Sequence, residues 1–365
     1  MRKIITLFLS LILVFAFSAG TDAKIKLVKS GKKTQKTKPE DWQLHKSDHK
    51  YYTEAWTVIM RSNEGHIVYL TFLYSNIGVV AGSSAVSMSL TMPGGSAKSY
   101  VGEHSLKEFG EDKKSNRIGI GSSWMALHGR DLTIRVKEKG FSAEFDIKSW
   151  ADGVSLYGGR MHFSEDGKEW AQAWVHVPRG DVDGTVTAGG KSFKFVGHAY
   201  VDHFAQTSLG TDYSSKWWNS RWFGPEHTVA VTIIQGKKAD GGGKFGRILV
   251  VDKAGNIEYD DGVSLKVSGT AKDKKGGPSY HTIFDLDWKG KLFSAKGQFK
   301  SNRMNDREAV TDRLNAAEAA VVKMVAGNPV IYRMDGEGKL AITPAGGASL
   351  DVTAPALMES VVLGD

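Results

Sequence analysis

Cysteine is absent from all 365 residues of the sequence. Its absence excludes disulfide bonds, thiol catalysis and cysteine-ligated metal sites. The chain also lacks the G-x-S-x-G, H-E-x-x-H and Walker A motifs, so nothing supports a hydrolase or a nucleotide enzyme of those classes. A protein without disulfides is held together by its core, and 41% hydrophobic residues with 10 tryptophans are sufficient for two ordinary domains.

Acidic residues are missing from one basic segment near the start of the chain, and this segment accounts for most of the formal net charge of +8. Residues 24–38 carry seven lysines and no acid, whereas residues 39–365 are neutral overall. A neutral body has no broad electrostatic footprint for DNA or RNA, so we predict no nucleic-acid partner. Residues 24–45 are predicted to be a basic, flexible segment. The alternative is that Lys24–Lys38 are attracted to an anionic membrane surface.

The first residues follow the pattern of a secretory signal peptide. Arg2 and Lys3 precede an apolar run from Ile4 to Phe17, and small residues come next. The alternative is a permanent membrane anchor, but the run is short for a bilayer span of about 20 residues. We therefore predict a signal peptide over residues 1–23, cleaved after Ala23, and a periplasmic or secreted protein.

From Tyr51 onward, the pattern is one of short β-strands. Segments rich in valine, isoleucine, threonine and aromatic residues alternate with glycine, aspartate and asparagine turns. Such regular short strands indicate barrels or sandwiches, not a parallel α/β sheet. We predict an all-β protein with an N-terminal β-barrel domain over residues 46–190 and a C-terminal one over residues 191–365. Hairpins are predicted at four turns: Ser62–Gly65, Asp166–Gly167, Lys253–Gly255 and Lys289–Gly290.

One α-helix is predicted in the C-terminal region. Between Asp306 and Ala326, apolar residues recur at helical spacing. Asn305 suits a cap at the start of the helix, while Gly327 and Pro329 suit its end. A single amphipathic helix in a β protein usually plugs one end of a barrel or packs against its outside.

The densest chemistry in the sequence lies between Gly197 and His227, where histidine, aspartate, arginine and tryptophan residues concentrate. One interpretation is a polar anchor in an aromatic cavity, with Asp202 orienting the ring of His203 and Arg221 binding the head group of a ligand. The alternative is a buried polar network joining two domains, in which each group is satisfied by a neighbour.

A metal site is a weaker hypothesis for the same region. It would use His198, Asp202, His203 and His227, but their spacing is not typical of ligands on an extended strand. We therefore predict no metal and no cofactor.

Three runs of sequence, in this order, resemble the survival-factor (ceramide-binding) family. They are Val68–Ile77, which ends in Tyr74-Ser75-Asn76-Ile77; Tyr200-Val201-Asp202-His203 with the following Trp217-Trp218-Asn219-Ser220-Arg221-Trp222; and Val322–Tyr332. The family belongs to a lipocalin-like clan with AttH proteins and carotenoid hydratases. The resemblance implies two tandem lipocalin-like antiparallel β-barrels and carriage of a ceramide- or sphingolipid-like ligand. Val201 departs from the pattern, because the clan usually has the first histidine of His-Asp-His there.

We predict a non-enzymatic carrier that binds a hydrophobic small molecule or lipid inside a barrel. Burial of an acyl chain contributes about 0.8 kcal/mol per CH₂ group. Two alternatives stay open: an enzyme of the carotenoid hydratase or cyclase type, with Asp202 as general acid, and a structural or interaction module with filled barrels. The predicted ligand-binding residues are Tyr74, Asn76, Tyr200, Asp202, His203, Trp217, Trp218, Arg221 and Trp222.

Overall fold

A computed structural model describes residues 34–76, 82–164, 166–208, 210–238, 242–309 and 329–364. Contacts divide the chain into two units, and the second unit begins at Gly210. Each unit is built around one antiparallel sheet, so the all-β prediction is confirmed. No helix in the described part of the chain is long and apolar enough to cross a membrane.

The first unit is one large antiparallel sheet that curls into a nearly closed barrel. Its main path runs in the order β5-β4-β3-β2-β14-β13-β10-β9-β8-β7-β6. Near the two ends of this path, His104 of β5 contacts Glu138 of β9 at 3.1 Å. The strands are β1 (Gln35–Lys36), β2 (Thr53–Ser62), β3 (Ile67–Ser75), β4 (Ser83–Thr91), β5 (Ala97–Ser105), β6 (Phe109–Asp112), β7 (Arg117–Ile120), β8 (Ser123–His128), β9 (Asp131–Glu138), β10 (Phe141–Ser149), β11 (Val154–Ser155), β12 (Met161–His162), β13 (Trp170–Ala188) and β14 (Lys191–Gln206).

The second unit is a nine-stranded sheet in the order β18-β17-β16-β15-β23-β22-β21-β20-β19. A four-residue helix, α1 (Gly210–Tyr213), precedes it. The Glu258 carboxylate of β18 accepts backbone N–H bonds of 2.5–2.9 Å from residues 291–293, next to the β20–β21 hairpin. The strands are β15 (Ser214–Phe223), β16 (His227–Gly236), β17 (Lys244–Asp252), β18 (Ile257–Asp260), β19 (Leu265–Ala271), β20 (Tyr280–Lys289), β21 (Phe293–Ala309), β22 (Val330–Pro344) and β23 (Leu350–Val362).

All four predicted hairpins form, because each depends on local turn chemistry. The pairs β2–β3, β12–β13, β17–β18 and β20–β21 are antiparallel neighbours. Gly65, Gly167 and Gly255 have φ values of +92°, +70° and +89°. Glycine adopts these left-handed conformations without steric cost.

The predicted boundary between the domains at residue 190 is wrong. Gly189 and Gly190 have φ values of +58° and +76° and form a two-residue hairpin turn between β13 and β14. The following strand β14 pairs with both β13 and β2, so it belongs to the first unit. Two consecutive glycines suit a tight hairpin as well as a linker, and sequence patterning does not separate these cases.

The described part of the predicted flexible segment 24–45 is ordered. Residues 34–45 contain β1 and a 3₁₀ turn at Pro39–Trp42. Trp42 is fully buried in the core of the first unit, and its carbonyl accepts a bond of 2.9 Å from Trp56 Nε1. Burial of an indole outweighs the flexibility that the neighbouring lysines favour. Residues 24–33 and the predicted signal peptide lie outside the described residues.

The helix predicted between Asp306 and Ala326 lies largely outside the described residues, which exclude 310–328. Its predicted start is wrong, because β21 continues through Ala309 and pairs with β22 up to Val330. Asn305 and Asp306, which were predicted to start the helix, lie within this strand.

Candidate functional site

A charged and aromatic cluster lies on the inner face of the first unit. It is built around Glu54 of β2 and His203 of β14, both fully buried. In the antiparallel register, His203 lies opposite Trp56 and Ala205 lies opposite Glu54. Glu54 and His203 are therefore diagonal neighbours on the same face of adjacent strands, within reach of each other's side chains.

The Glu54 carboxylate is saturated with hydrogen-bonding contacts. Its Oε1 atom lies 2.6 Å from His203 Nε2 and 2.8 Å from His45 Nδ1. Its Oε2 atom accepts a bond of 2.9 Å from the backbone N–H of His45 and a short bond from the Tyr52 hydroxyl. Burial raises the pKa of Glu54, but the hydrogen bonds from His203 and His45 together outweigh burial and lower this pKa to about 2. Glu54 is therefore a buried, ionised carboxylate.

Two tryptophan rings and a carbonyl hold the His203 ring in place. The ring stacks between Trp56 and Trp174, at centroid distances of 4.4 and 4.5 Å. Its Nδ1 atom donates to the Asp41 carbonyl at 2.9 Å. His176 Nε2 lies 3.3 Å from the same Nδ1 atom. Because a carbonyl only accepts, this contact orients Nε2 of His203 toward Glu54.

Tyr52 and His176 are neutral hydrogen-bonding groups of the cluster. Burial, followed by the neighbouring Glu54 charge, raises the pKa of Tyr52 far above its usual value, so its phenol remains a donor. Burial lowers the pKa of His176 well below its usual value. The cluster thus offers one carboxylate, several imidazoles and one phenol in a dry, aromatic environment. Such a set can transfer a proton, ligate a cation or bind a polar head group.

Five of the predicted site residues belong to the first unit. His203 lies in the cluster, and Tyr74 contacts Tyr52 at a ring distance of 6.1 Å. Asn76 contributes its backbone, which donates to the Tyr52 carbonyl at 2.8 Å. Tyr200 and Asp202 lie on the face of β14 opposite His203, since successive side chains of a strand alternate.

The predicted role of Asp202 is wrong. The carboxylate that contacts the His203 ring, at 2.6 Å, is that of Glu54. Asp202 is adjacent in sequence but faces the other side of the sheet, whereas Glu54 lies 149 residues away and shares the face.

The other four predicted site residues lie on β15 of the second unit. Arg221 Nη1 binds the Glu359 carboxylate at 2.8 Å, and Arg333 Nε lies 3.4 Å from the same carboxylate. Arg221 was predicted to bind the head group of a ligand; in the structure its guanidinium forms an ion pair with a buried carboxylate. Three tryptophans find hydrogen-bond partners of their own: Trp217 with Ser214, Trp218 with His281, and Trp222 with the Gly338 carbonyl.

The structure does not assemble the proposed metal set of His198, Asp202, His203 and His227. His198 and Asp202 lie on the opposite face of β14 from His203, and His227 belongs to the second unit. Among the described residues, the one group of histidine, cysteine and acidic side chains close enough to hold a metal ion is His45, Glu54 and His203.

Several members of the cluster escaped the sequence analysis: His45, Glu54, Trp174 and His176. A signal was present in β2, where Glu54, Trp56, Val58 and Met60 alternate with residues of the other face. A carboxylate in the inward phase of a strand is an anomaly, because a buried charge needs a partner. His45 precedes the strand and offered no such pattern.

Comparison with known proteins places the chain among β-barrel relatives. The sequence model of the Svf1 family matches residues 18–314. A comparison with curated proteins finds no match. Among solved structures, a protein described as AttH from Nitrosomonas europaea has a TM-score of 0.62 at 14% identity, covering 93% of this chain and 99% of its own.

Two further solved structures share the architecture. CghA has a TM-score of 0.58 at 11% identity, with 86% of this chain and 89% of that chain covered. Kievitone hydratase from Nectria haematococca has a TM-score of 0.54 at 11% identity, with 96% and 97% covered. Identities this low show a common fold alone, and the predicted lipocalin-like fold class is confirmed.

Proposed function

Because this chain belongs to the Svf1 family, we propose that it is an exported carrier that binds a long-chain lipid within a β-barrel and releases it unchanged. The family and the barrel fold support a ligand-binding protein. The lipid class, the carrier role and export are our extension: the first two rest on the interior of the first unit, and export rests on the signal-peptide pattern of residues 1–23.

The contrast between an apolar interior and one polar cluster carries the proposal. Valine, leucine, isoleucine, phenylalanine and methionine side chains from β2–β4, β7–β10, β13 and β14 form the interior of the first unit. The buried Glu54–His203 pair lies on the same inner face. Apolar walls with a few convergent polar groups are the usual composition of sites for hydrophobic ligands, because the walls bind the chain and the polar groups bind the head.

Three methionines make this interior adaptable. Met60, Met88 and Met125 are fully or almost fully buried within it. Methionine side chains are unbranched and polarisable, so they can repack around an inserted chain at small cost. Each buried CH₂ group of the lipid then contributes about 0.8 kcal/mol.

The polar end of the ligand would bind next to His45. Of His45 and Glu54, which contact each other, His45 is the one that reaches solvent. Its side chain is 21% exposed, whereas the side chain of Glu54 is fully buried. A ceramide- or sphingolipid-like head group carries hydroxyl and amide groups, which can exchange hydrogen bonds with His45 and Glu54.

Native mass spectrometry of the full-length protein, purified and then incubated with a lipid extract, tests the carrier. We expect one lipid per chain, and displacement of a fluorescent fatty ligand by ceramide. His45→Ala should weaken ceramide binding, whereas His128→Ala, an exposed change on β8, should not. Protein that takes up no lipid and displaces no dye would instead support a structural module with a filled interior.

Export has a separate test. The proposed signal peptide over residues 1–23 predicts that protein recovered from the periplasm of an expressing bacterium begins at Lys24. Intact-mass measurement decides this point. Recovery of the uncleaved chain from the cytoplasm would leave lipid binding intact and refute export.

A second candidate function is proton-transfer chemistry on an isoprenoid or polyene. The 2.6 Å contact between Glu54 and His203 favours it, since a dry carboxylate–imidazole pair can act as an acid or a base. This pair takes the role first assigned to Asp202. Turnover of a polyene that is lost in both Glu54→Gln and His203→Asn would support an enzyme, whereas binding without product supports the carrier.

A further inference from the structure

Two imidazole nitrogens and one carboxylate oxygen converge in the first unit. The atoms belong to His45, Glu54 and His203, and all of them lie within 4.8 Å of one another. We propose that these three residues form a divalent transition-metal site, with zinc as the ion that its ligands suit best. Two neutral imidazoles and one carboxylate are an established zinc ligand set, with a further position left for water or another ligand.

The orientation of His203 is the first argument. Its Nδ1–H is used by the Asp41 carbonyl at 2.9 Å, and Nε2 then faces Glu54 Oε1 at 2.6 Å. With Nδ1–H bound to the carbonyl, a neutral ring presents its Nε2 lone pair to the carboxylate, and either a shared proton or a metal ion between the two atoms would satisfy both. Metal-ligating histidines commonly donate their second ring nitrogen to a backbone carbonyl, which fixes the tautomer as seen here.

The convergence of His45 is the second argument. A proton between His203 and Glu54 would satisfy that contact alone, whereas a metal ion would bind both imidazoles at once. His45 Nδ1 lies 2.8 Å from the same Oε1 atom. Zinc–nitrogen and zinc–oxygen bonds of about 2.0–2.2 Å need ligand atoms roughly 3.3 Å apart. Relative to Glu54 Oε1, His45 Nδ1 must therefore move away by roughly 0.5 Å, which its partial exposure permits, and His203 Nε2 by roughly 0.7 Å.

The surroundings suit a cation. Tyr52 and the backbone N–H of His45 hold Oε2 of Glu54, which leaves Oε1 directed at the two imidazoles. The rings of Trp56 and Trp174 enclose His203 on both faces and exclude water. The contacts of the Glu54 carboxylate within the described part of the chain come from His45, Tyr52 and His203, and no arginine or lysine there competes with the ion.

Zinc titration of the full-length protein tests the site in the absence of any lipid, so the outcome is independent of the proposed carrier function. After dialysis against a chelator, isothermal titration with zinc chloride should give one ion per chain. Cobalt(II) bound in place of zinc should show the visible absorption of a four- or five-coordinate ion. Elemental analysis of the zinc-loaded, desalted protein checks the stoichiometry.

Matched variants locate the ion. His45→Gln and Glu54→Gln should each weaken zinc binding by about tenfold or more. His104→Gln is the control: this imidazole also contacts two carboxylates, but through opposite ring nitrogens, so one ion cannot bridge them. It should leave the affinity unchanged. If Glu54→Gln fails to fold, His45→Gln decides the question, because its side chain is partly exposed.

Two results would overturn the proposal. One is a wild-type protein that takes up no zinc or cobalt at millimolar concentration, which would mean that a proton alone joins His203 and Glu54. The other is zinc binding that is equally tight in His45→Gln and in wild type, which would place the ion elsewhere.

Discussion

At the scale of single residues, both units contain buried charges that are paired with one another. Glu54 is surrounded by His45, His203 and Tyr52 in the first unit. In the second unit, Arg333 contacts Asp306 at 2.6 Å and Glu308 at 3.1 Å, besides Glu359. An unpaired buried charge costs several kcal/mol of folding free energy, whereas a buried ion pair with good hydrogen-bond geometry is tolerated. Removing one partner is therefore more damaging than the net contribution of the pair suggests.

Glu54→Gln is expected to lower the free energy of unfolding by about 3 kcal/mol, because it leaves His203 and Tyr52 facing a neutral amide in a dry site. Urea unfolding followed by tryptophan fluorescence measures the change. The matched control is Glu144→Gln, whose side chain is 74% exposed and only 4.0 Å from Arg135. That change should stay within about 0.5 kcal/mol. Equal effects of the two substitutions would contradict a special role for the buried carboxylate.

His198 gives stability a dependence on pH. Burial, followed by the Arg179 charge, lowers the pKa of His198 to about 4, from an ordinary value of 6.5. The unfolded chain therefore binds a proton between these pH values when the folded protein does not. The contribution of this residue is complete above pH 6.5 and is lost as the pH falls toward 4.

His198→Gln should consequently reduce the loss of unfolding free energy between pH 7 and pH 5. Urea titrations at the two pH values measure this loss in wild type and variant. His128→Gln, on the exposed end of β8, serves as the control and should keep the wild-type loss. An unchanged pH dependence in His198→Gln would show that other groups account for the acid sensitivity.

At the scale of the elements, some glycines inside strands mark places where backbones approach closely, and others do not. A Cβ atom built on Gly246 of β17 would lie 1.7 Å from the Val263 carbonyl oxygen. Gly110 of β6 has no such neighbour within 4 Å. Both residues are in strands of the same kind of sheet, so the contrast is a property of packing, not of backbone conformation.

Gly246→Ala should accordingly destabilise the second unit by about 3 kcal/mol, because β17 and residue 263 must separate to admit the methyl group. Gly110→Ala should change stability by less than about 1 kcal/mol and serves as the control. Thermal unfolding followed by circular dichroism compares the two. Similar melting temperatures for both variants would show that the contact at Gly246 relaxes freely.

At the scale of the whole molecule, two units each have their own apolar cluster. The first cluster includes Phe195, Ala199 and Val201, which all belong to β14. Strand β14 also supplies His203 and lies between β2 and β13 in the sheet order. The first unit is therefore complete only when the chain extends through β14.

Two truncated chains distinguish the observed boundary from a boundary at residue 190. A chain of residues 34–208 should unfold cooperatively in urea, whereas a chain of residues 34–190 should not, because it lacks a central strand and its inward side chains. Equally cooperative unfolding of both chains would contradict the assignment of β14 to the first core.

The sequence alone determined the features that depend on neighbouring residues. Alternating apolar residues and glycine turns identified an all-β chain and its hairpins, because φ/ψ preferences and strand alternation act over a few residues. His203 and Tyr74 were picked out by chemistry and by resemblance, and the structure places both near Glu54. Tertiary structure alone decided that β14 joins the first sheet and that Asp202 faces away. It also brought His45 and Glu54 to His203, across 149 residues in the case of Glu54. Strand order and register are set by contacts between distant segments, and no local pattern encodes which segments will pair.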